Sequence, residues 1–327
     1  MKISVAMCTY NGARFLREQL ESILAQTRKP DEVIVCDDHS SDESIDLINN
    51  FRSRAPFPVR VQLNETRIGS TKNFERAISL ANGDVIALSD QDDVWSLQRL
   101  EWIEQRFLKE PAPDLVFTNA ELIDESGKPV GYSLWDSLRL DEKLRSSLNG
   151  TSATEILAKR RLVTGATMAF RACLKDLVLP IPENLTVIHD GWIALIVSAI
   201  GRLEALDQLS IKYRRHGEQQ LGLPKAKPLT KSPKALARLA RSANESIERD
   251  IKTLRIVLER LNSHHDSHPV MAKSSLEKRL RHLEVRQRFS TAKLTHLPGI
   301  MRELVNGSYH RYSNGFISFV KDVIAKP

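Results

Sequence analysis

Three acidic residues, Asp90, Asp92 and Asp93, lie within four positions of one another, directly after the apolar run 85–88. The run is long enough for a buried strand, so the carboxylates are expected at the carboxyl end of that strand. Carboxylates this close repel one another and raise each other's pKa unless a positive charge lies between them. Mg2+ or Mn2+ would supply that charge and prefers oxygen ligands, with phosphate oxygens completing its shell. The alternative is a solvated acidic turn that caps the following helix.

A second pair of acids, Asp37 and Asp38, also follows an apolar run, at residues 32–36. In an open α/β sheet the carboxyl ends of parallel strands line one crevice, and ligands bind there. The HSSDES segment after the pair suits a helix N-terminus, so helix capping is the competing interpretation. We expect both groups of acids along the same edge of one sheet.

Strand and helix patterns alternate around these acids. Apolar runs predict strands at residues 2–7, 32–36, 59–63, 85–88, 114–118, 162–170 and 203–213. Helices are predicted at residues 13–26, 70–82, 96–109 and 189–201. A further helix is predicted after the HSSDES segment and ends near residue 54. Strands separated by helices of this length predict β-α-β units and a mainly parallel sheet. Residues 132–160 have little periodicity and predict no definite element.

The chain has 327 residues, of which 41% are hydrophobic. That is enough for one large domain with an appendage, or for two domains, and it excludes a disordered protein. Cys8, Cys36 and Cys173 lie far apart without metal-ligand spacing, which favours a reducing compartment. The first residues lack the apolar core and cleavage site of a secretion signal, and the apolar run 193–200 is too short to cross a bilayer. We therefore expect a cytoplasmic protein.

Charge is distributed unevenly along the chain. Residues 225–327 contain 21 Lys and Arg against 9 Asp and Glu, a net charge of +12, whereas residues 1–224 contain 27 against 32, a net charge of −5. Such asymmetry indicates a basic appendage on a body with a different task. Prolines and lysines mark a linker at residues 223–234, between a first domain at 1–222 and a basic α-helical region at 235–327.

The basic helical region has two interpretations. With the partly apolar stretch 315–325, it would rest peripherally on an anionic membrane at the inner face of the cell. Alternatively, it would pack on the first domain as a solvated helical cap. Aromatic residues are too scarce among the basic ones for nucleic-acid binding, so no nucleic-acid partner is expected. The HHDSH segment at 264–268 fits an exposed turn between helices better than a metal site.

Several motifs occur in an order and spacing that resembles one enzyme family. They are VAMCTYNG, EVIVCDDHSSDES, RIGSTKNFERAISLANGD, LSDQDDVW, the TGA of residues 164–166 and the HDGW of residues 189–192. Together, over about residues 1–222, they resemble the family 2 glycosyltransferases, inverting enzymes of the GT-A fold that use nucleotide-sugar donors. SDQDDVW, HDGW and YRRHG are most similar to the rhamnosyltransferase-type branch. The resemblance implies an α/β fold with a Rossmann-like, mainly parallel sheet flanked by helices, followed by the basic helical region.

The resemblance also implies site residues. Asp190 matches the general base, which takes a proton from the acceptor hydroxyl. The positions that match the binding of the donor nucleotide are Thr9, Asn11, Asp37, Asp38, Lys72, Asn73 and Asp90. The positions that match the binding of a divalent metal are Asp92, Asp90 and His216. Simpler roles compete at three of them: Asp190 would only begin a helix, Lys72 would be solvated, and His216 would lie exposed in a basic loop.

The implied reaction is inverting transfer of rhamnose or another hexose to a saccharide or lipid-linked acceptor in bacterial surface polysaccharide synthesis. The carboxylate of Asp38 can accept a hydrogen bond from a pyrimidine imide N–H, which indicates a dTDP- or UDP-sugar donor. The resemblance also implies Mn2+ or Mg2+ as the cofactor. A sugar nucleotidyltransferase is the first alternative, but it would need a glycine-rich basic loop after the first strand, and CTYNGARF is a poor version. A non-catalytic nucleotide-sugar binding module is the second, but binding alone needs no base. The transferase hypothesis requires that Asp38, Asp92 and Asp190 meet at one cleft.

Overall fold

A computed structural model of the chain describes residues 1–150, 152–217, 233–264, 272–291 and 297–324. The first 222 residues were expected to form one domain, and the described part of them forms a sheet flanked by helices. Most of the expected linker, 223–232, and residues 265–268 of the HHDSH segment lie outside the described residues.

Strands and helices alternate in the first quarter of the chain, as their apolar patterns predict. The elements are β1 (Ile3–Thr9), α1 (Ala13–Leu24), β2 (Glu32–Asp37), α2 (Ser44–Arg54), β3 (Val59–Leu63), α3 (Ser70–Leu80) and β4 (Val85–Ser89). β1 pairs in parallel with both β2 and β4, and β2 pairs in parallel with β3. All residues of β1 and β4 are buried, because helices cover both faces of a sheet built in this way. The carboxyl ends of β1, β2 and β4 therefore share one edge.

The second part of the sheet is mixed rather than parallel. Its elements are β5 (Val94–Trp95), α4 (Arg99–Leu108), β6 (Leu115–Ile123), β7 (Pro129–Ser133), α5 (Leu134–Leu138), α6 (Glu142–Leu148), α7 (Ala153–Leu157), β8 (Met168–Arg171), α8 (Lys175–Val178), α9 (His189–Ile200) and β9 (Leu203–Arg214). Among the described residues the strand order is β3-β2-β1-β4-β8-β6-β9-β5, with β7 paired to β6. β8 lies antiparallel between β4 and β6, whereas β6 and β9 are parallel. The expected α/β fold is confirmed, but the parallel arrangement is limited to the first four strands and the β6–β9 pair.

Two elements differ from the sequence prediction in ways that affect the site. The strand expected at 162–170 is limited to β8, because Gly165–Thr167 forms a turn of 3-10 helix. The helix expected from residue 96 begins at Arg99, because Val94 and Trp95 pair with β9. Both differences come from pairing with distant parts of the chain, which local periodicity does not reveal.

The C-terminal region is helical, as its apolar spacing predicts. It contains α10 (Pro233–Ser263), α11 (Lys273–Thr291), α12 (Leu297–Val305), α13 (Ser308–Tyr312) and α14 (Phe316–Ile324). Buried side chains of α10, such as Leu254 and Val257, belong to the same apolar core as those of α9. Glu155 of α7 accepts hydrogen bonds from Ser275 (2.7 Å) and Arg311 (2.6 Å). The region thus packs directly on the sheet-containing part, and among the described helices none has the length and apolarity to cross a membrane.

Candidate active site

The acidic loop after β4 lies against the end of β9. The carboxylate of Asp92 contacts His216, with 2.7 Å between Oδ2 and Nε2. Arg214 donates from its backbone N–H to Asp93 Oδ1 (3.1 Å) and from Nε to the carbonyl of Asp92 (2.9 Å). His216 itself packs beside Phe15, with ring centroids 5.0 Å apart. Two predicted metal positions that are 124 residues apart in the chain, Asp92 and His216, are therefore in contact.

Burial makes the acids of this loop strongly interacting. It raises the pKa of Asp90 to about 8, and the negative charges of Asp92 and Asp190 add to that effect. Burial also raises the pKa of Asp93 well above its usual range, with the charges of Asp92 and Asp90 as further causes. The buried guanidinium of Arg99 lies near Asp93 and Asp90, and burial lowers its pKa to about 9. Arg99 and Arg214 are buried arginines beside this loop, but the raised pKa values show that Asp90 and Asp93 still favour their protonated forms, so further positive charge is needed to keep both ionised.

Asp190 lies in the first turn of α9, where a negative charge is favoured by the helix dipole. Its Oδ2 accepts a hydrogen bond from the backbone N–H of Gly165 (3.1 Å), and its Oδ1 accepts one from Gly191 (2.5 Å). The neighbouring His189 is buried and stacks on Phe74, with ring centroids 4.0 Å apart. The carboxylate is thus held by two backbone donors.

Electrostatic coupling indicates that the acid groups share one region. The pKa of Tyr213 is raised by burial first, and then by the charges of Asp93, Asp90, Asp92 and Asp190. The pKa of the buried Cys8 thiol is likewise raised by burial first and then by other groups, which include Asp90, Asp38 and Asp37. Tyr213 thus has Asp190 and the loop acids around it, and Cys8 has Asp90 and the acids after β2.

The acids after β2 are engaged with the protein's own loops. Asp38 is buried and accepts hydrogen bonds from Asn64 Nδ2 (3.0 Å) and from the backbone N–H groups of Ile68 (2.7 Å) and Gly69 (2.8 Å). These contacts fix the loop between β3 and α3. Asp37 is also buried and accepts from the Thr9 hydroxyl (2.7 Å) and from the backbone and hydroxyl of Ser40 (2.7 and 2.6 Å). The predicted residues Thr9, Asp37 and Asp38 therefore shape the loops at this edge.

The remaining predicted nucleotide positions also make internal contacts. Asn11 adopts a positive φ of 45° and accepts from the backbone N–H of Ser41 (2.8 Å). Asn73 is buried and donates to the carbonyl of Cys36 (2.7 Å). Lys72 contacts Glu75 (2.9 Å) and the carbonyl of Ile181 (3.1 Å). Its amino group thus binds the segment between α8 and α9.

Gln91, which the sequence analysis did not single out, joins two loops of the site. Its side chain accepts from the backbone N–H of Tyr10 (2.7 Å) and donates to the carbonyl of the same residue (3.1 Å). A Cβ on Gly12 would lie 2.3 Å from Gln91 Oε1, so only glycine leaves room for this side chain. Tyr10 in turn lies under the guanidinium of Arg67, 4.0 Å from its ring centroid. The sequence signal for this close approach is the Asn-Gly pair at residues 11 and 12, because Asn-Gly favours a turn after a strand.

The residues present fit a divalent cation that takes part of its shell from a substrate. In the described part of the chain, no group of three or more His, Cys, Asp and Glu side chains has the spacing of a complete metal site. Asp92 and His216 offer one oxygen and one nitrogen ligand, with Asp90 nearby. Asp93 Oδ2 is buried and has no hydrogen-bond partner among the described residues. A hard cation bound here would favour the charged forms of Asp90 and Asp93, whose pKa values are otherwise raised.

Comparisons with known proteins identify the family that the sequence resembles. The family model described as glycosyl transferase family 2 matches residues 4–164. An uncharacterized glycosyltransferase of Nostoc is 30% identical over 220 residues, which is 66% of each chain. The dTDP-rhamnosyl transferase RfbG of Shigella flexneri is 33% identical over 169 residues, 48% of this chain and 55% of RfbG. The alignments therefore span about two thirds or less of the length of these curated relatives.

A solved structure has the same fold over nearly the whole chain. TarS of S. aureus, crystallised in complex with UDP-GlcNAc, superposes with a TM-score of 0.55 over 99% of this chain and 90% of its own. The two sequences are only 18% identical, so the likeness concerns the fold alone.

Proposed function

Because the chain belongs to glycosyltransferase family 2, we propose that it transfers a sugar from a nucleotide-sugar donor to an acceptor hydroxyl, with inversion at the anomeric carbon. The observation that carries the proposal is the hydrogen bond from Gly165 to Asp190, because Gly165 lies in the turn before β8, and the antiparallel pairing of β8 with β4 puts that turn at the carboxyl end of β4, where the acidic loop begins. Asp190 and Asp90 are 100 positions apart in the chain, and the charges of both contribute to the raised pKa of Tyr213. Inversion needs a base on one side of the reacting carbon and a stabilised leaving group on the other, and we assign these tasks to Asp190 and to the acidic loop.

Asp190 is the proposed general base. Hydrogen bonds from the backbone N–H groups of Gly165 and Gly191 fix the direction of the carboxylate. In the proposed reaction it takes the proton of the acceptor hydroxyl as that oxygen attacks the sugar. Since the base must stand ready in one orientation, its position at the beginning of a buried helix suits the task.

Asp92, Asp90 and His216 are the proposed holders of a divalent cation. Mn2+ or Mg2+ bound there would neutralise charge on the departing nucleoside diphosphate. Of the two cations, Mn2+ is a transition metal and accepts an imidazole nitrogen more readily than Mg2+ does. Asp90 is the proposed contact to the ribose or sugar of the donor. Arg214 of β9 keeps the acidic loop against His216 by its contacts to Asp92 and Asp93.

A pyrimidine nucleotide, dTDP or UDP, is the proposed leaving group. A carboxylate can accept about four hydrogen bonds, two on each oxygen. Internal contacts already supply two on Asp38 Oδ1 and one on Asp38 Oδ2. The remaining position on Oδ2 suits a base imide N–H. Thr9, Asn11, Asp37 and Asn73 would shape the pocket through the loops they fix, and Lys72 would act through the segment that it contacts. RfbG is named a dTDP-rhamnosyl transferase, which supports a dTDP-sugar such as dTDP-rhamnose.

The proposed acceptor is a saccharide, free or linked to lipid, in bacterial surface polysaccharide synthesis. A lipid-linked acceptor lies at a membrane, and the C-terminal helices have a surface suited to one. Met301 and Val305 of α12 and Phe316 and Ile317 of α14 are exposed apolar residues within the basic part of the chain. We propose that this apolar surface contacts an anionic membrane peripherally.

The test of the proposed function is the Asp190→Asn variant. Asparagine keeps the shape of the side chain but takes up no proton, so transfer should fall by at least about 100-fold. Calorimetric donor affinity with Mn2+ should stay within twofold of wild type, since the base contacts the acceptor. Asp207→Asn is the matched control, because Asp207 is exposed and pairs only at the surface with Arg145 (3.3 Å). Near-normal turnover of Asp190→Asn, with a panel of dTDP- and UDP-sugars, would contradict the proposal.

A further inference from the structure

Arg260 of α10 caps the end of α8 in the sheet-containing part. Its guanidinium donates hydrogen bonds to three backbone carbonyls, those of Leu177 (2.8 Å), Leu179 (3.0 Å) and Pro180 (2.8 Å). A helix leaves its last four carbonyls without partners inside the helix, and positive charge is favoured at that end. The planar fork of arginine reaches several acceptors at once, which the single amino group of lysine does not.

The neighbouring carbonyls of the same stretch are bound by other elements. Trp192 of α9 donates from Nε1 to the carbonyl of Val178 (2.8 Å), and Lys72 of α3 donates to that of Ile181 (3.1 Å). Glu75 of α3 accepts from the backbone N–H of Ile181 (2.6 Å). All five consecutive carbonyls of residues 177–181 therefore receive a side-chain donor from outside the stretch. Such complete use of backbone acceptors fixes where this stretch lies.

The stretch leads directly to the proposed base. We name residues 182–188, between Ile181 and α9, the connecting segment. Thr253 of α10 contacts it near its centre, since its hydroxyl lies 3.3 Å from the backbone N and 3.0 Å from the hydroxyl oxygen of Thr186. At the end of the segment, a Cβ on Gly191 would lie 3.0 Å from Val187 Cβ, so segment and first helical turn are in close contact. Arg260 also lies over Trp192, 5.4 Å from its ring centroid.

We propose that Arg260 is a positioning residue for Asp190, and that α10 thereby makes the C-terminal helical region part of the transferase active site. The inference rests on the proposed function. Arg260 touches neither donor nor acceptor. It binds the carbonyls of Leu179 and Pro180, just before the connecting segment, and lies over the side chain of Trp192. The segment and Trp192 both lead to the helical turn that carries Asp190. A displacement of about 1 Å of a reacting group is enough to lower a rate by about 100-fold.

Arg260→Ala should lower kcat of transfer at least about tenfold while donor affinity with Mn2+ stays within twofold of wild type. Arg260→Lys keeps the positive charge but loses the planar fork, so its kcat should lie between the kcat values of wild type and Arg260→Ala. Arg255→Ala is the matched control, because Arg255 lies on the same helix and pairs with Glu284 at the surface (2.7 Å). Circular dichroism at the assay temperature checks that each variant is folded.

Hydrogen exchange provides a second measurement that does not need transfer activity. Backbone amides of residues 182–191 should exchange at least about tenfold faster in Arg260→Ala than in Arg255→Ala, whereas those of residues 85–95 should be unchanged. Unchanged exchange of residues 182–191, or a folded Arg260→Ala variant with kcat within twofold of wild type, would overturn the inference. If wild type and Asp190→Asn have equal transfer activity, or neither has any, the proposed function fails instead. The hydrogen exchange of residues 182–191 then decides by itself whether Arg260 holds the connecting segment.

Discussion

At the residue scale, the orientation of Asp190 depends on Gly165. The backbone N–H of Gly165 donates to the carboxylate of Asp190, and no side chain separates the two residues. A Cβ on Gly165 would lie 2.9 Å from His189 Nε2 and 3.3 Å from Asp190 Cβ. A glycine is thus needed here for close approach rather than for an unusual backbone angle. The carboxylate of Asp190, the proposed base, is thus oriented by a turn 25 positions earlier in the chain.

The substitution Gly165→Ala should therefore impair both stability and transfer. The added methyl group must displace the buried His189 or the base, which should cost about 1–3 kcal/mol of unfolding free energy. Transfer should fall more than donor affinity, because the base moves and the donor site does not. Gly150→Ala is the control, since a Cβ there would meet nothing closer than the Ser147 carbonyl at 3.9 Å. Equal unfolding free energies and kcat values for the two variants would contradict the prediction.

His189 should make stability depend on pH. It is buried and its Nδ1 has no hydrogen-bond partner among the described residues, and burial lowers its pKa. The unfolded chain therefore binds a proton at this residue at a higher pH than the folded chain. As pH falls below the unfolded pKa of about 6.5, unfolding free energy should decrease by at most about 1.4 kcal/mol per unit, until the folded pKa is passed.

Denaturant titrations of wild type and His189→Phe from about pH 7.5 to about pH 5 would measure this effect. This pH range includes the usual histidine pKa of about 6.5. Phenylalanine can keep the stacking on Phe74 but takes up no proton. The variant should therefore have a shallower loss of stability with acid than wild type. Parallel curves for the two proteins would exclude His189 as the titrating group.

At the element scale, two loops of the site are interlocked. Gln91, in the loop after β4, forms two hydrogen bonds with the backbone of Tyr10, in the loop after β1. Gly12 leaves the space that the Gln91 side chain fills. The loop after β4 is also bound on its other side by Arg214 of β9. The loop after β1 and strand β9, which are far apart in the chain, therefore fix the acidic loop jointly.

A double-mutant cycle tests this interlocking. In the wild-type background, Gly12→Ala should cost about 1–3 kcal/mol, because the new Cβ expels Gln91 and breaks its two hydrogen bonds. In a Gln91→Ala background, the same substitution should cost a few tenths of a kcal/mol, because the space is then free. Unfolding free energies of the four proteins measure the coupling. Additive effects would mean that the loops do not interact in this way.

At the scale of the whole molecule, the C-terminal helices contain both packed and exposed apolar residues. Side chains of α10 such as Leu254 and Val257 continue the core of the sheet-containing part. The later helices α12 and α14 expose large apolar residues, among them Val305 (81% exposed) and Ile317 (63% exposed). Helix α10 thus packs on the sheet-containing part, whereas α12 and α14 present apolar side chains to a partner in our proposal. The net charge of +12 in residues 225–327 favours an anionic partner.

Flotation with vesicles of phosphatidylglycerol and phosphatidylcholine tests the membrane proposal. The double variant Phe316→Ser, Ile317→Ser should reduce recovery of the protein with vesicles several-fold, because burial of each apolar side chain contributes about 1.5–3 kcal/mol. Leu108→Ser is the control, since Leu108 is equally exposed (63%) but lies on α4. Binding should also weaken in high salt. Equal recovery of wild type and the double variant would exclude this surface.

The local pattern of the sequence was sufficient to predict much of the fold. Apolar runs predicted the first four strands, because a buried strand needs a continuous apolar segment. The acids that follow β2 and β4 were expected at one edge, because parallel strands bring their carboxyl ends together. The motif order gave the family and the positions of Asp92, Asp190 and His216. The short helices of residues 134–157 and the two-residue β5 were missed, because elements this short do not show an apolar periodicity.

The sequence by itself therefore determined the fold class, the family and the residue types available for chemistry. Only the tertiary structure decided how they are used: the antiparallel insertion of β8, the engagement of Asp38 by its neighbouring loop, and the capping of α8 by Arg260. The physical reason is distance along the chain. Periodicity and caps arise from neighbours within a few residues, whereas Arg260 and Leu179 are 81 positions apart, and their contact exists only once the core has formed.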